Sequence, residues 1–154
     1  MESLFTIVPM REEHLSALTE LEKLCFSQPW SREGLAAELE NPSARFYVAL
    51  SPKGETAGYV GMHLVLDEGY LANLAVFPRF RGQGAARTLL AALQGLGEKE
   101  PLAFISLEVR ESNLPAIRLY EKMGFQRVGL RKNFYTLPDE NALIMTWNSK
   151  GETI

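Results

Sequence analysis

The chain has 154 residues, with 16 Lys and Arg against 19 Asp and Glu and a formal charge of −3 at pH 7, a balance that argues against broad electrostatic binding of nucleic acid. Hydrophobic residues at 46% and charged residues at 23% sit close to globular averages, and the length favours one domain. Cys25 is the single cysteine, which excludes an internal disulfide and suits a reducing cytoplasm. No window approaches the ~20 apolar residues of a membrane span, and "MESLFTIVPMREEH" has no basic stretch ahead of its apolar run, so neither a membrane helix nor a leader is expected.

In chain order, Phe5 to Val8 reads as a short strand stopped by Pro9. Leu15, Leu18, Leu21 and Cys25 recur at helical spacing, and "SQPWS" breaks that helix. Ser31 can cap a second helix carrying Leu35 and Leu39, which Asn41-Pro42 ends. "RFYVAL" and "TAGYVGMHLVL" read as a hairpin across the turn "SPKG", and "YLANLAV" as a further strand stopped by Phe77-Pro78. A glycine-bearing loop follows, then a helix with Leu89, Leu90, Leu93 and Leu96 on one face. After a turn at Glu98 to Pro101, "LAFISLEV" alternates as a strand. Leu114 to Met123 is helical with Gly124 as its stop, and "FQRVG" and "ALIMTW" read as closing strands. Strands and helices over one sheet make a mixed α/β layer fold. Residues 148–154 read as a frayed polar tail.

The loop "FPRFRGQGAARTLL" places Arg79, Arg81 and Arg87 around Gly82 and Gly84, directly before a helix. Glycines let backbone approach a ligand, and a helix N-terminus offers unpaired N–H groups with about half a positive charge. Together they suit phosphate, although a plain strand-to-helix loop with a basic rim would look the same. A dinucleotide fingerprint fails because Arg87 stands where the third glycine belongs, and a phosphate-binding Gly-Lys-Ser/Thr is missing.

Arg81-Gly82-Gln83-Gly84-Ala85-Ala86 resembles the pyrophosphate loop of the GNAT superfamily of acetyl-CoA-dependent N-acetyltransferases. The likeness runs from Phe5 to Trp147. With "LEVRESNLPAIRLYEKMGF", "VLDEGYLANLAV" and "CFSQPW", it is similar above all to the bacterial ribosomal-protein-alanine N-acetyltransferases. Ala86 departs from those nearer relatives, which usually have glycine there, although alanine is common at that position across the superfamily. The resemblance implies the GNAT fold: an α/β (α+β) domain over 1–147, with a single mixed, mostly antiparallel sheet of about seven strands flanked by about four helices. It implies acetyl-CoA as cosubstrate, no metal, and a protein or peptide N-terminus, expected to be that of a ribosomal protein, as acceptor. Neither nucleic acid nor membrane is an expected partner, and a monomer or weak homodimer in the cytoplasm is expected.

The resemblance also implies roles for particular residues. Leu74, Ala75 and Val76 would offer backbone groups to the pantetheine arm and thioester; Gly82, Gln83, Gly84, Ala85, Ala86 and Arg87 would surround the pyrophosphate, with Arg81 or Arg87 adding charge. Asn113 would hydrogen-bond the cofactor; its spacing before Leu114-Pro115 equally marks a helix N-cap. Alternation puts Glu108 on the polar face of its strand, where by itself it reads as a solvent-facing carboxylate; the resemblance makes it the general base. Tyr120 reads as core packing, and the resemblance makes it the general acid beside the cofactor sulfur. Phe26, Trp30, Phe134 and Tyr135 flank segments that would line a peptide groove, with Phe26, Trp30 and Tyr135 the expected substrate contacts, although core packing is the plainer reading for at least two of the four. Asp67 and Glu68 are either a polar turn or a lure for a cationic peptide end.

Cys25 lacks the His/Cys arrangement a nucleophile needs, so it reads as helix packing, and His14 and His63 read as structural or exposed. Two rival readings remain: an acetyltransferase for lysine, polyamine or another small amine, and a non-catalytic acetyl-CoA-binding module. Glu108 and Tyr120 weigh against the second, since a binder needs neither.

Overall fold

A computed structural model describes residues 4–151. Seven strands and four α-helices are present among them: β1 (Thr6–Pro9), α1 (Leu15–Cys25), α2 (Arg32–Leu39), β2 (Ala44–Leu50), β3 (Thr56–Val65), β4 (Glu68–Val76), α3 (Ala85–Gln94), β5 (Phe104–Arg110), α4 (Leu114–Lys122), β6 (Gln126–Tyr135) and β7 (Glu140–Asn148). The strand order is β1-β2-β3-β4-β5-β7-β6. β4 and β5 pair in parallel over Glu68–Tyr70 and Phe104–Ser106; the β1–β2, β2–β3, β5–β7 and β6–β7 ladders are antiparallel. A parallel pair needs a crossover, and here the glycine loop and α3 supply it. This is the mixed, mostly antiparallel sheet expected.

The chain forms two compact units. The first runs to His63 and returns over Ala72–Leu93; the second takes Leu64–Leu71 and the chain from Gln94 onward.

In the first unit, α1 turns Leu15, Leu18 and Leu21 inward, each at most 2% exposed, onto Leu35 of α2, Phe46 and Val48 of β2, Tyr59 of β3 and Ala75 of β4. Each such leucine contributes about 1.5–3 kcal/mol of burial. Ser31 caps α2 as expected, its hydroxyl accepting from the Gly34 N–H at 3.0 Å. Pro9 does not stop β1 but ends it, paired with Tyr47; β1 is at the sheet edge, where a residue without an N–H is tolerated. On α3, Leu89, Leu90 and Leu93 are fully buried. Leu96, expected on that face, lies beyond the helix in a 3₁₀ turn, Gly95–Glu98.

In the second unit, β5 alternates as read: Ile105, Leu107 and Val109 are buried, while Phe104, Ser106, Glu108 and Arg110 are half-buried. α4 buries Ile117 and Tyr120 and stops at Gly124, whose φ of 93° suits glycine. The Phe125 N–H closes that stop on the Tyr120 carbonyl at 2.9 Å. β6 corrects the reading: it is not the short "FQRVG" but ten residues reaching Tyr135. As the edge strand it is mostly exposed, with register shifts at Arg127/Gly129 and Arg131/Tyr135, so the period-2 burial signal that marks a strand is missing. Past β7, Ser149 donates to the Ala103 carbonyl at 2.9 Å, so the expected tail is held at its start; its last three residues lie outside the described ones.

Candidate active site

The glycine loop follows β4 and a 3₁₀ turn, Pro78–Phe80. Gly82 and Gly84 have φ of 74° and 91°, left-handed values that favour glycine strongly. The Gly84 carbonyl accepts both the Thr88 N–H at 3.0 Å and the Thr88 hydroxyl at 2.7 Å, which starts α3 at Ala85. A Cβ on Gly82 would meet nothing within 4 Å, and one on Gly84 would lie 3.6 Å from Arg87 Nη2. The loop is therefore open above its backbone, beside a helix N-terminus and under a guanidinium, which suits a pyrophosphate. Arg79 and Arg81 are turned to the protein itself. Arg79 pairs with Glu55 at 2.9 Å; Arg81 donates from Nε to the Val76 carbonyl at 3.0 Å and from Nη2 to Cys25 Sγ at 3.3 Å. Of the two arginines expected to add charge, Arg87 is the better placed.

Cys25 packs on the core of its unit, and burial pushes its thiol above the ordinary range despite Arg81. A thiol held protonated fits the packing role. Phe26 and Trp30 flank the α1–α2 connection and pack against the same core, with the Trp30 ring 5.8 Å from Phe46.

Glu22 escaped the sequence reading. It is fully buried. Its carboxylate accepts the Trp30 N–H at 2.8 Å, the Tyr59 hydroxyl at 2.7 Å and Asn73 Nδ2 at 2.8 Å. Burial pushes its pKa up, with the bonds from Trp30 and Tyr59 pulling back. The signal was available: Glu22 stands seven residues after Leu15 and four after Leu18, on the apolar stripe of α1.

In the second unit, Glu108 lies on the polar face of β5, its carboxylate 3.6 Å from Arg131 Nη1 and 30% exposed. Tyr120 is 6% exposed, and its ring lies 5.6 Å from Phe125. Burial holds its hydroxyl well above the ordinary tyrosine range, with Tyr135 adding to the rise. Tyr135 is pushed up to about 12, first by burial and then by the Glu108 charge. The two expected catalytic groups thus share an electrostatic neighbourhood through Tyr135. That residue is fixed by Arg110, whose guanidinium lies 4.5 Å over its ring and also donates to the Pro138 and Thr136 carbonyls and to Glu140. Phe134 is exposed, 5.0 Å edge-on to Tyr135.

Asn113 caps α4, its Oδ1 accepting the Ala116 N–H at 3.3 Å. Glu68 is bonded by the Tyr70 hydroxyl, and the Asp67 carbonyl accepts the Ala103 N–H at 2.7 Å. His14 is buried, and desolvation lowers its pKa; His63 pairs with Glu38 at 2.8 Å. No helix among the described residues is long and apolar enough to cross a membrane.

A left-handed glycine loop thus feeds a helix in the first unit, and the second unit carries a carboxylate on the polar face of β5 and a buried tyrosine on α4. The sequence pattern of the acetyltransferase (GNAT) family matches residues 15–125, and the chain belongs to that family, whose enzymes use acetyl-CoA. A Bacillus subtilis (strain 168) protein provisionally named a ribosomal protein bS18-alanine N-acetyltransferase is 41% identical over 137 residues, covering 88% of this chain and 90% of that one. The ribosomal protein bS18-alanine N-acetyltransferase of Escherichia coli (strain K12) is 37% identical over 142 residues, covering 91% and 95%. The crystal structure of the ribosomal-protein-S18-alanine N-acetyltransferase from Escherichia coli superposes with a TM-score of 0.84 at 34% identity, over 94% of this chain and 93% of that one.

If the loop holds the cosubstrate, coenzyme A raises the thermal midpoint of the wild type, by about 2.7 kcal/mol of stability at 100 times its Kd. Gly84→Val forces a β-branched residue to a φ of 91° and fills the space beside Arg87, so it should lose most of that protection. Equal protection of two folded proteins would remove the loop as the site.

Proposed function

We propose that this chain transfers acetyl from acetyl-CoA directly to the α-amine of a protein N-terminus, with alanine preferred and a small-subunit ribosomal protein as the acceptor. The observation that supports the reading is the alignment of the chain with bS18-alanine N-acetyltransferases over nearly its whole length, with Glu108 on the polar face of β5 and Tyr120 buried on α4. Glu108 takes a proton from the substrate ammonium, directly or through a water. The neutral amine attacks the thioester carbon, the tetrahedral intermediate collapses, and the C–S bond breaks. Tyr120 gives its proton to the leaving thiolate, the nitrogen loses its second proton, which restores the Tyr120 hydroxyl directly or through water, and Glu108 releases the first to solvent, so the products are an N-acetyl peptide and coenzyme A.

The burial of Tyr120 keeps its proton in place across neutral pH. A thiolate released into the same apolar surroundings is pushed up as a base from its aqueous value of about 8.5, which keeps the transfer within reach. The thioester is already activated, so placing amine and thioester together supplies much of the rate. Leu74, Ala75 and Val76 hold the pantetheine and Gly82 to Arg87 the pyrophosphate in this reading, with Asn113 beside the cofactor and Phe26, Trp30 and Tyr135 around the peptide end.

Incubation with acetyl-CoA and a panel of peptides and polyamines, read by mass, tests the substrate class. Acetylation of the peptide with a free N-terminal alanine ahead of peptides with bulky first residues, and ahead of spermidine, is expected. Faster acetylation of spermidine would turn the assignment to the small-amine reading.

A further inference from the structure

We infer that Glu22 is a positioning residue that sets the substrate-contacting connection after α1 and the cofactor strand β4 in one geometry. The inference deepens the proposed N-terminal acetyltransferase reading and rests on it for the role of Trp30.

A buried carboxylate in a helix is costly unless its acceptors are filled by donors. Here every partner donates, and the three come from three segments: the Trp30 N–H from the connection before α2, the Tyr59 hydroxyl from β3, and the Asn73 side chain from β4. Asn73 Nδ2 also donates to the Tyr59 hydroxyl at 3.3 Å, so the set is cross-linked. Asn73 immediately precedes Leu74, Ala75 and Val76, the stretch assigned to the pantetheine arm. One turn beyond Glu22, Cys25 receives the Arg81 guanidinium, whose Nε donates to the Val76 carbonyl. The last turn of α1 therefore holds β4 at both ends of that stretch and fixes the backbone of Trp30. An apolar side chain could fill the space on this stripe. It could not bind the Trp30 N–H, which precedes Ser31 and the start of α2.

Glu22→Gln keeps the shape and changes the donor pattern. Its oxygen can still accept from Tyr59 and Asn73, but its amide then presents N–H to the Trp30 N–H, so the tether to the connection is lost first. In the Trp147→Phe background, Trp30 is the one tryptophan left. There, Glu22→Gln should shift the emission of Trp30 to longer wavelength and raise its quenching by acrylamide. The KM for an N-terminal alanine peptide should rise about tenfold or more, with kcat changed less than about threefold. A merely structural role would lower the melting temperature and the active fraction, leaving the peptide KM and the emission of the folded protein as they were. Tyr59→Phe, which keeps its ring in the core and removes one donor, is the second variant: a severalfold rise in peptide KM with the same direction of emission shift is expected. Unchanged peptide KM and unchanged Trp30 emission in Glu22→Gln, or in Tyr59→Phe where the first does not fold, overturns the inference. A wild type that acetylates no peptide N-terminus strikes the functional reading instead, and the emission shift still decides the role of Glu22.

Discussion

Tyr120→Phe should lower turnover about 10²-fold while the protein stays folded. The ring is what α4 buries: it is 6% exposed and packs 5.6 Å from Phe125, and phenylalanine fills nearly the same volume. What disappears is the proton. Desolvation holds the Tyr120 hydroxyl protonated well beyond neutral pH, so in the wild type the acid is fully charged with its proton throughout the working range. Without it, the thiolate must leave as an anion in apolar surroundings, the unfavourable form there. The check is a single-turnover rate with both substrates saturating, so that product release does not mask chemistry, beside a melting curve. An unchanged single-turnover rate returns Tyr120 to the core.

Glu108→Gln should cost most at low pH. A protein α-amine has an unperturbed pKa near 8, so at pH 6.5 only about one in 30 is neutral, whereas at pH 9 most are. A base matters where a proton must be removed. The ratio of wild-type to variant kcat/KM should therefore be largest near pH 6 and shrink steadily toward pH 9. Glutamine keeps the shape of the side chain on β5 and gives up the 3.6 Å ion pair with Arg131. That pair is long and open to solvent on its Arg131 side, so its loss costs about 1 kcal/mol, and a change in melting temperature large enough to explain the rate loss is not expected. A small effect that does not vary with pH would remove Glu108 as the base.

Most of the architecture was legible because its periodicities are strong. α1, α3, α4 and β5 each bury a stripe or an alternate set that the spacing of Leu, Ile and Val announces, and Ser31, Asn113 and Gly124 punctuate the helices with side chains or conformations that have a physical reason to be there. β6 was cut short for the opposite reason. An exposed edge strand with register shifts has no apolar face to display, and Leu130 and Phe134 at 47% and 44% exposed carry no alternation. Leu96 kept the spacing of the α3 face, yet it lies in a 3₁₀ turn, Gly95–Glu98, that follows the helix.

The site divides in the same way. Gly82 and Gly84 spoke through their type, since left-handed backbone is costly for most other residues. Glu108 and Tyr120 taken alone read as a surface carboxylate and a core ring, and their roles entered through resemblance. The long-range hydrogen bonds were the hardest to see. Glu22 meets Tyr59 and Asn73 across 37 and 51 residues of chain, and Arg110 reaches Thr136, Pro138 and Glu140 across 26 to 30. Only folding reveals such pairs, although a glutamate on an apolar stripe was itself a warning.

The acceptor we propose is an α-amine. A neutral-pH solution holds a sizeable minority of α-amines in the reactive form but only about one lysine in 10³, so a single carboxylate relaying a proton suffices for the first and is poorly matched to the second. The direct measurement uses one peptide that begins with alanine and carries an internal lysine, offered with its N-terminus free or chemically blocked, and locates the acetyl group by fragment masses. Acetyl on the alanine nitrogen of the free peptide and no product from the blocked one are expected. Acetyl found on the lysine of both peptides at comparable rates would contradict the α-amine assignment.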